Sequence, residues 1–129
     1  MSVLNWVPLK AISTIHDRQI ARHGGASGLR DLALLEMGAA RAMNLASYSE
    51  ADLFEITAAY AFGIAKAHAF VDGNKRTAFV SAITFMSLNG MSFRPEAAKG
   101  VQMMEDLASG DVSEAEFAQW IRDGASSLV

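Results

Sequence analysis

"LFEITAAYAFGIAKAHAFVDGNKRTAFVSAITFMSLNG", residues 53–90, consists of two long apolar stretches joined by a short polar one. Hydrophobic residues cover almost the whole helical circumference of both outer stretches. This pattern predicts two helices buried on most sides, the first ending near His68 and the second running from Lys75 to about Leu88. We therefore expect the central hairpin of an all-α domain.

Residues with capping preferences mark the ends of this hairpin. Ser49 and Asp52 match the signature that opens a helix, and Asn74 is placed to cap the start of the second helix. Asn89 and Gly90 are typical of a helix end. These residues define the expected boundaries of the hairpin.

The N-terminal segment predicts two more helices. Pro8 suits the start of the first, which should end at the loop "GGASG", residues 24–28. Asp31 can cap the second. Residues 41–48, "RAMNLASY", show no clear helical period, and we expect an irregular segment there.

The C-terminal segment predicts a fifth and a sixth helix. Pro95 can begin the fifth, and Ser113 with Glu116 forms a capping box for the sixth. The expected fold is a compact all-α bundle of about six helices, with residues 1–129 as a single domain.

Composition and charge exclude several classes of protein. Half of the 129 residues are hydrophobic and 19% are charged, which is typical of a globular domain. The chain has no cysteine, so disulfides, thiolate zinc sites and cysteine nucleophiles are excluded. A formal net charge of −3 argues against direct nucleic-acid binding. With no signal peptide and no apolar run of about 20 residues, we expect a cytoplasmic protein without membrane contact.

The polar stretch between the two apolar ones predicts a phosphate site. Residues 74–77 would lie in the first turn of a helix, where backbone N–H groups lack partners and the helix dipole is positive. A preceding glycine lets a ligand approach the backbone closely, and a lysine and an arginine add positive charge. The predicted phosphate-binding residues are Gly73, Asn74, Lys75, Arg76 and Thr77.

A carboxylate and a histidine next to this phosphate site suggest that the site is catalytic. Asp72 would repel a bound phosphate unless a divalent cation lay between them, and Mg²⁺ binds through one or two carboxylates plus substrate phosphates. His68 is the side chain suited to take a proton from a hydroxyl near neutral pH. The pattern indicates transfer of a phosphorus-containing group, and the predicted catalytic residues are His68, Asp72, Lys75 and Arg76.

A purely structural interpretation of the same residues also stands. A histidine at a helix end is more often a cap than a catalyst, and a Lys-Arg pair at a helix start is usually solvated. Basic residues in a first helical turn oppose the helix dipole, however, so an anionic ligand explains the whole cluster better.

"HAFVDGNKRT", residues 68–77, resembles the signature of the Fic/Doc family, H-x-F-x-[DE]-G-N-x-R, in its death-on-curing (Doc) form. Three further segments resemble the family, so that the likeness covers nearly the whole chain. They are "IHDRQIARHGGASGLRD" (15–31), "LNG" (88–90) and "LASGDVSEAEFAQWI" (107–121).

The resemblance implies a role for each residue of the motif. His68 corresponds to the base that deprotonates a target hydroxyl, Phe70 to an apolar anchor in the core, and Asp72 to the Mg²⁺ ligand. Residues 73–76 correspond to the loop that holds the phosphates of ATP. By position, the stretch 41–48 falls where family members have a flap that aligns the target.

Two positions depart from the adenylylating members of the family. Lys75 stands where those enzymes have glycine, and Phe79 stands where they have a second arginine. Both departures are typical of the Doc branch, in which the nucleotide is thought to bind in the reversed orientation. The resemblance therefore implies a protein kinase toxin that uses ATP and Mg²⁺.

The resemblance also implies partners and leaves alternatives open. It implies a threonine of elongation factor Tu as the target and a Phd-like antitoxin as the inhibitor. A protein adenylyltransferase and a catalytically idle binding module remain alternatives. A metal-dependent nuclease fits poorly, because the chain is acidic and the site has a single carboxylate.

Overall fold

The described part of the chain, residues 3–128, forms six α-helices and one short strand pair in a computed structural model. The elements are, in chain order, α1 (Leu9–His23), α2 (Leu32–Tyr48), α3 (Leu53–Ala67), α4 (Asn74–Leu88), β1 (Met91–Ser92), α5 (Ala97–Ser109), α6 (Glu114–Gly124) and β2 (Ser126–Ser127). This architecture confirms the predicted all-α fold. None of these helices is long and apolar enough to cross a lipid bilayer.

The α3–α4 hairpin lies at the centre of the core, as the sequence predicts. Tyr60 of α3 packs against Phe85 of α4 with ring centroids 5.0 Å apart, and Trp6 stacks on the same Phe85 ring at 5.2 Å. The helices α2 and α6 cover α3, while α1 and α5 cover α4. Because four helices pack against the hairpin, it holds the joint between its two helices on a rigid frame.

A pair of glycines brings α2 and α3 into direct backbone contact. A Cβ atom added to Gly38 of α2 would lie 2.6 Å from the carbonyl oxygen of Gly63 in α3. That distance is shorter than van der Waals contact, so no larger side chain fits without moving a helix. The two glycines therefore set how closely α2 packs on the central hairpin.

The capping of α3 differs in one respect from the prediction. Asp52 accepts a hydrogen bond from the Glu55 N–H, and Glu55 accepts one from the Asp52 N–H, which completes a capping box. Ser49 instead follows the end of α2 and donates to the Leu45 carbonyl, so its predicted capping role is wrong. Burial acts to raise the pKa of Asp52, but hydrogen bonds from the Glu55 N–H and the Arg122 guanidinium outweigh it. The pKa therefore lies below its ordinary value.

Residues 41–48 are helical, so the expected irregular segment is wrong. They form the second half of α2 (Leu32–Tyr48). The residues that this helix buries include Ala39 and Ala42, and Ala46 packs against the core as well. Because alanines add little to a hydrophobic pattern, the helical period of this stretch is not visible in the sequence.

The predicted cap of α6 is confirmed, whereas α5 begins at Ala97, after the N-cap Glu96, and not at the predicted Pro95. Ser113 accepts from the Glu116 N–H and completes the predicted capping box of α6. Arg122 of α6 donates to the Asp52 carboxylate at 2.6 Å and fixes this helix to the start of α3. The strands β1 and β2, which the sequence did not predict, pair antiparallel. With two residues each, they are too short to show the alternating hydrophobic pattern of a strand.

Candidate active site

Residues 68–73, the motif loop, join α3 to α4, and their first residue has an unusual backbone. His68 adopts φ 51° and ψ 41°, in the left-handed region that side chains other than glycine seldom occupy. Arg30 holds this conformation, because its Nε and Nη2 donate to the His68 carbonyl at 3.2 and 2.5 Å. The imidazole itself is exposed. The loop thus presents the histidine to solvent at the end of a rigid helix.

Asn74 braces the motif loop from inside. Its Oδ1 accepts from the Phe70 N–H at 3.0 Å, and its Nδ2 donates to the Phe70 carbonyl at 2.9 Å. The predicted cap by Asn74 is therefore wrong. The N-cap of α4 is Gly73, and no side chain caps this helix. The physical reason is that a carboxamide can satisfy one donor and one acceptor of the loop together. Phe70 is 2% exposed and lies in the core.

Asp72 is exposed, yet three neighbours fix its position. Its Oδ1 accepts from the Gly73 N–H at 2.8 Å, and its Oδ2 accepts from the Ala26 N–H at 3.3 Å. Its backbone carbonyl lies 2.7 Å from Nε2 of His16. The carboxylate is therefore oriented before any ligand arrives.

The donor atoms around Asp72 fit a magnesium ion that is bound mainly by phosphate and water. An ionised carboxylate has about four lone-pair positions, and the two backbone bonds leave free positions. Within residues 3–128, no group of three or more His, Asp and Glu side chains could hold a metal alone. This arrangement suits Mg²⁺, which commonly binds through one carboxylate plus substrate phosphates.

The start of α4 has free hydrogen-bond donors and an adjacent lysine. The first helical bond runs from the Thr77 N–H to the Gly73 carbonyl at 3.0 Å, so the N–H groups of residues 74–76 have no acceptor within α4. Lys75 Nζ lies 3.7 Å from Oε1 of Glu105 on α5. The two side chains are 46% and 56% exposed, so this ion pair is weak.

A cleft of about 550 Å³ opens between the motif loop, α4 and α5. Its polar lining includes His68, Asp72, Lys75 and Arg76, and its apolar lining includes Phe79, Val101 and Met104. The structure therefore brings the four predicted catalytic residues to one cavity. Gly100 of α5 lies against the Phe79 ring, which makes this wall of the cleft apolar.

The segment paired with the motif loop is residues 24–31, and not the expected stretch 41–48. The N–H groups of Arg30 and Asp31 donate to the Ala69 carbonyl at 2.7 and 3.0 Å, and the Gly28 carbonyl accepts from the Val71 N–H at 3.1 Å. The predicted position of a flap is therefore wrong. Residues 41–48 are instead the end of helix α2 and line no part of the cleft.

Comparison with known proteins identifies the family of this chain. The model of the Fic/DOC family matches residues 6–86, which include α1 to α4 up to Met86 and the whole motif loop. The chain belongs to the Fic/Doc family. Two of the best-matching curated relatives are Doc proteins. The chain is 36% identical over 111 residues to "Protein kinase doc" of Escherichia phage P1, which covers 84% of this chain and 86% of that protein.

The second relative is the "Toxin Doc" of Mycolicibacterium smegmatis (strain ATCC 700084 / mc(2)155). The identity is 34% over 92 residues, which covers 68% of this chain and 71% of that protein. The resemblance first seen in the motif is therefore confirmed over most of the chain.

One predicted phosphate-binding residue does not reach the Fic/Doc cleft. The side chain of Thr77 is fully buried, and its hydroxyl makes no hydrogen bond to the described residues. A helix turns by about 100° per residue, so Thr77 lies on the buried face while Lys75 and Phe79, one turn apart, line the cleft. Its assignment as a phosphate ligand is wrong.

Several residues around the cleft were not predicted from the sequence. The burial of His16 could have been predicted, because it follows Ile12 by one helical turn on the buried side of α1. The sequence gives no such signal for Arg30 and Glu105, since their contacts arise only when distant segments pack together. Two further residues of α1 line the cleft, Gln19 and His23.

Proposed function

We propose that this protein is a Doc-type toxin that phosphorylates a protein hydroxyl. The acceptor would belong to a translation factor similar to elongation factor Tu, and its modification would arrest translation. The observation that carries the proposal is the convergence of an exposed histidine, an oriented carboxylate and the free N–H groups of a helix start on one cleft. The names of the two relatives, a protein kinase and a toxin, support it.

His68 is the proposed base. The hydroxyl proton of the target passes to the imidazole, the target oxygen forms a bond to the γ-phosphorus of ATP, and the bond to the β-phosphate oxygen breaks to release ADP. The left-handed backbone of His68, fixed by Arg30, supports this role because it turns the side chain away from the core. A base held on a rigid element keeps the reacting atoms aligned.

The start of α4 is the proposed phosphate site. The N–H groups of residues 74–76 point out of the helix, and Lys75 and Arg76 add positive charge beside them. Asp72 would hold the magnesium ion of ATP, which when bound neutralises charge on the phosphate oxygens. Phe79 leaves one side of the cleft without a second arginine, so a triphosphate held there depends on Lys75.

A protein adenylyltransferase is the second candidate, and the position of Lys75, whose Nζ lies 3.7 Å from Glu105 of α5, is compatible with it. A lysine drawn toward α5 leaves the N–H groups of the helix start open. The β- and γ-phosphates could then bind there and expose the α-phosphorus to the hydroxyl. The identity of the transferred group separates the two candidates.

An antitoxin of the Phd type is the proposed partner. The apolar side of the cleft contains Val101, which is 59% exposed, next to Phe79 and Met104. An amphipathic helix from the partner can cover such a surface. We expect the antitoxin to raise the melting temperature of the toxin, as any ligand selective for the folded state does. Calorimetry of the two purified proteins tests this, and an unchanged melting temperature would argue against the partner.

Expression in a bacterium tests the proposed function. The wild-type protein should arrest growth and block incorporation of labelled amino acids, whereas His68→Asn should do neither. Asparagine is chosen because it tolerates the left-handed backbone of position 68, so the variant should fold. His68→Ala is the second variant. If both folded variants stop translation as the wild type does, His68 is not the base.

A further inference from the structure

His16 connects the first helix to the motif loop from the buried side. It is 1% exposed, and its Nε2 lies 2.7 Å from the carbonyl oxygen of Asp72. A carbonyl oxygen can only accept, so Nε2 carries the hydrogen and donates it. The ring also stacks on Phe70, with centroids 3.9 Å apart and planes 10° from parallel.

These two contacts act on the peptide bond between Asp72 and Gly73. The carbonyl of this peptide accepts from His16, and its N–H donates to Asp72 Oδ1 at 2.8 Å. The direction of the peptide plane therefore determines where the carboxylate points. The plane also sets the left-handed backbone of Gly73, φ 72°, from which α4 begins.

Two side chains of α1, Ile20 and His16, lie close to this peptide. A Cβ atom on Gly73 would lie 3.1 Å from Cδ1 of Ile20 and 3.8 Å from the His16 ring. The remaining ring nitrogen of His16, Nδ1, is 3.8 Å from the exposed Asp17 carboxylate, which is too long for a hydrogen bond. Within the described residues, the short bond to the Asp72 carbonyl is thus the one strong polar contact of this ring.

We propose that His16 is a positioning residue for the phosphate- and metal-binding loop. By holding the Asp72–Gly73 peptide, it directs both the Asp72 carboxylate and the free N–H groups at the start of α4 into the cleft. It cannot touch a substrate, because its ring is buried. The inference rests on the proposed function, and His16 lies outside the motif of residues 68–77.

Two variants separate positioning from packing. His16→Phe keeps an aromatic ring against Phe70 but removes the donor, whereas His16→Gln keeps an N–H at about the same reach but removes the ring. A residue important only for packing would make the glutamine variant the worse one in every assay. A positioning residue predicts that the phenylalanine variant is the more stable and the less active of the two.

The primary measurement is amide hydrogen exchange of Gly73 by NMR, together with the affinity for a non-hydrolysable ATP analogue with and without Mg²⁺. In His16→Phe we expect faster exchange of the Gly73 N–H and a loss of about 10- to 100-fold in Mg²⁺-dependent affinity, as for other residues that orient a metal ligand. His16→Gln should stay close to the wild type in both measurements at temperatures where it is folded.

These measurements separate the inference from the proposed function. If the wild-type protein transfers no phosphate, the proposed kinase fails, but hydrogen exchange and analogue binding still decide the role of His16. The positioning role is contradicted if Gly73 exchange and Mg²⁺-dependent affinity are the same in His16→Phe and the wild type. It is also contradicted if both quantities simply follow the melting temperatures of the variants.

Discussion

Replacing Asn74 with alanine should destabilise the protein even when no nucleotide is present. The substitution removes two hydrogen bonds, of 3.0 and 2.9 Å, to the backbone of Phe70, a residue that is 2% exposed. Each such bond contributes about 0.5–1.5 kcal/mol net, so the loss should be roughly 1–3 kcal/mol. For a domain of this size, that corresponds to a fall in melting temperature of roughly 4–10 °C.

Thermal unfolding of the ligand-free protein, followed by circular dichroism, measures this effect. Asn44→Ala is a matched control, because Asn44 lies on an exposed position of α2 and undergoes the same substitution. The control should change stability by no more than about 0.5 kcal/mol. Phosphate transfer should also fall in Asn74→Ala, because the motif loop that carries His68 and Asp72 loses its internal brace.

The opposite pattern would refute the assignment of Asn74 as a brace. If Asn74→Ala unfolds at the wild-type temperature without ligand and loses only nucleotide affinity, the carboxamide binds phosphate directly. The hydrogen bonds to Phe70 would then contribute nothing to stability.

Three further predictions concern stability. Gly63→Ala should lower the free energy of unfolding by about 1–3 kcal/mol, because the added methyl group meets the backbone of α2. Gly100→Ala should lower it less, since its methyl group meets the edge of the Phe79 ring at 3.1 Å. Equal melting temperatures of the two variants would contradict this. Thr77→Val should leave melting temperature and activity near wild type, because the buried hydroxyl has no partner among residues 3–128 and the shape is kept. A loss of nucleotide affinity would restore Thr77 as a ligand. Because the pKa of Asp52 is lowered from an ordinary value of 3.8, its stabilisation is present above that pH and lost as the pH falls through the folded value. Asp52→Asn should therefore flatten the decline of stability below about pH 4, and an unchanged slope in acid titrations would argue against the bond from Arg122.

The sequence predicts those parts of the fold that depend on local patterns. The apolar stretches of residues 53–90 are long enough to show that both helices are buried, and Asp31 and Ser113 mark helix starts through chemistry close in the chain. The motif likewise predicted that His68 and Asp72 lie at one site, because its residues are adjacent in sequence.

The parts that the sequence could not predict depend on contacts between distant segments or on helix rotation. Asn74 could have capped α4, and only the fold shows that its carboxamide turns back to Phe70. Thr77 lies in the right turn of the right helix but on its buried face. His16 is 56 residues from Asp72 in the chain, and no local pattern joins them.

The most direct test of the central claim is the identity of the group that the protein transfers. Purified protein is incubated with elongation factor Tu, Mg²⁺ and ATP labelled at either the α- or the γ-phosphorus, and the target is then analysed by mass spectrometry. We expect the mass of one phosphate on a threonine, label from γ-labelled but not from α-labelled ATP, and no transfer by Asp72→Ala. Transfer of the α-label with the mass of AMP would contradict the kinase assignment and support the adenylyltransferase, with the same fold and the same base.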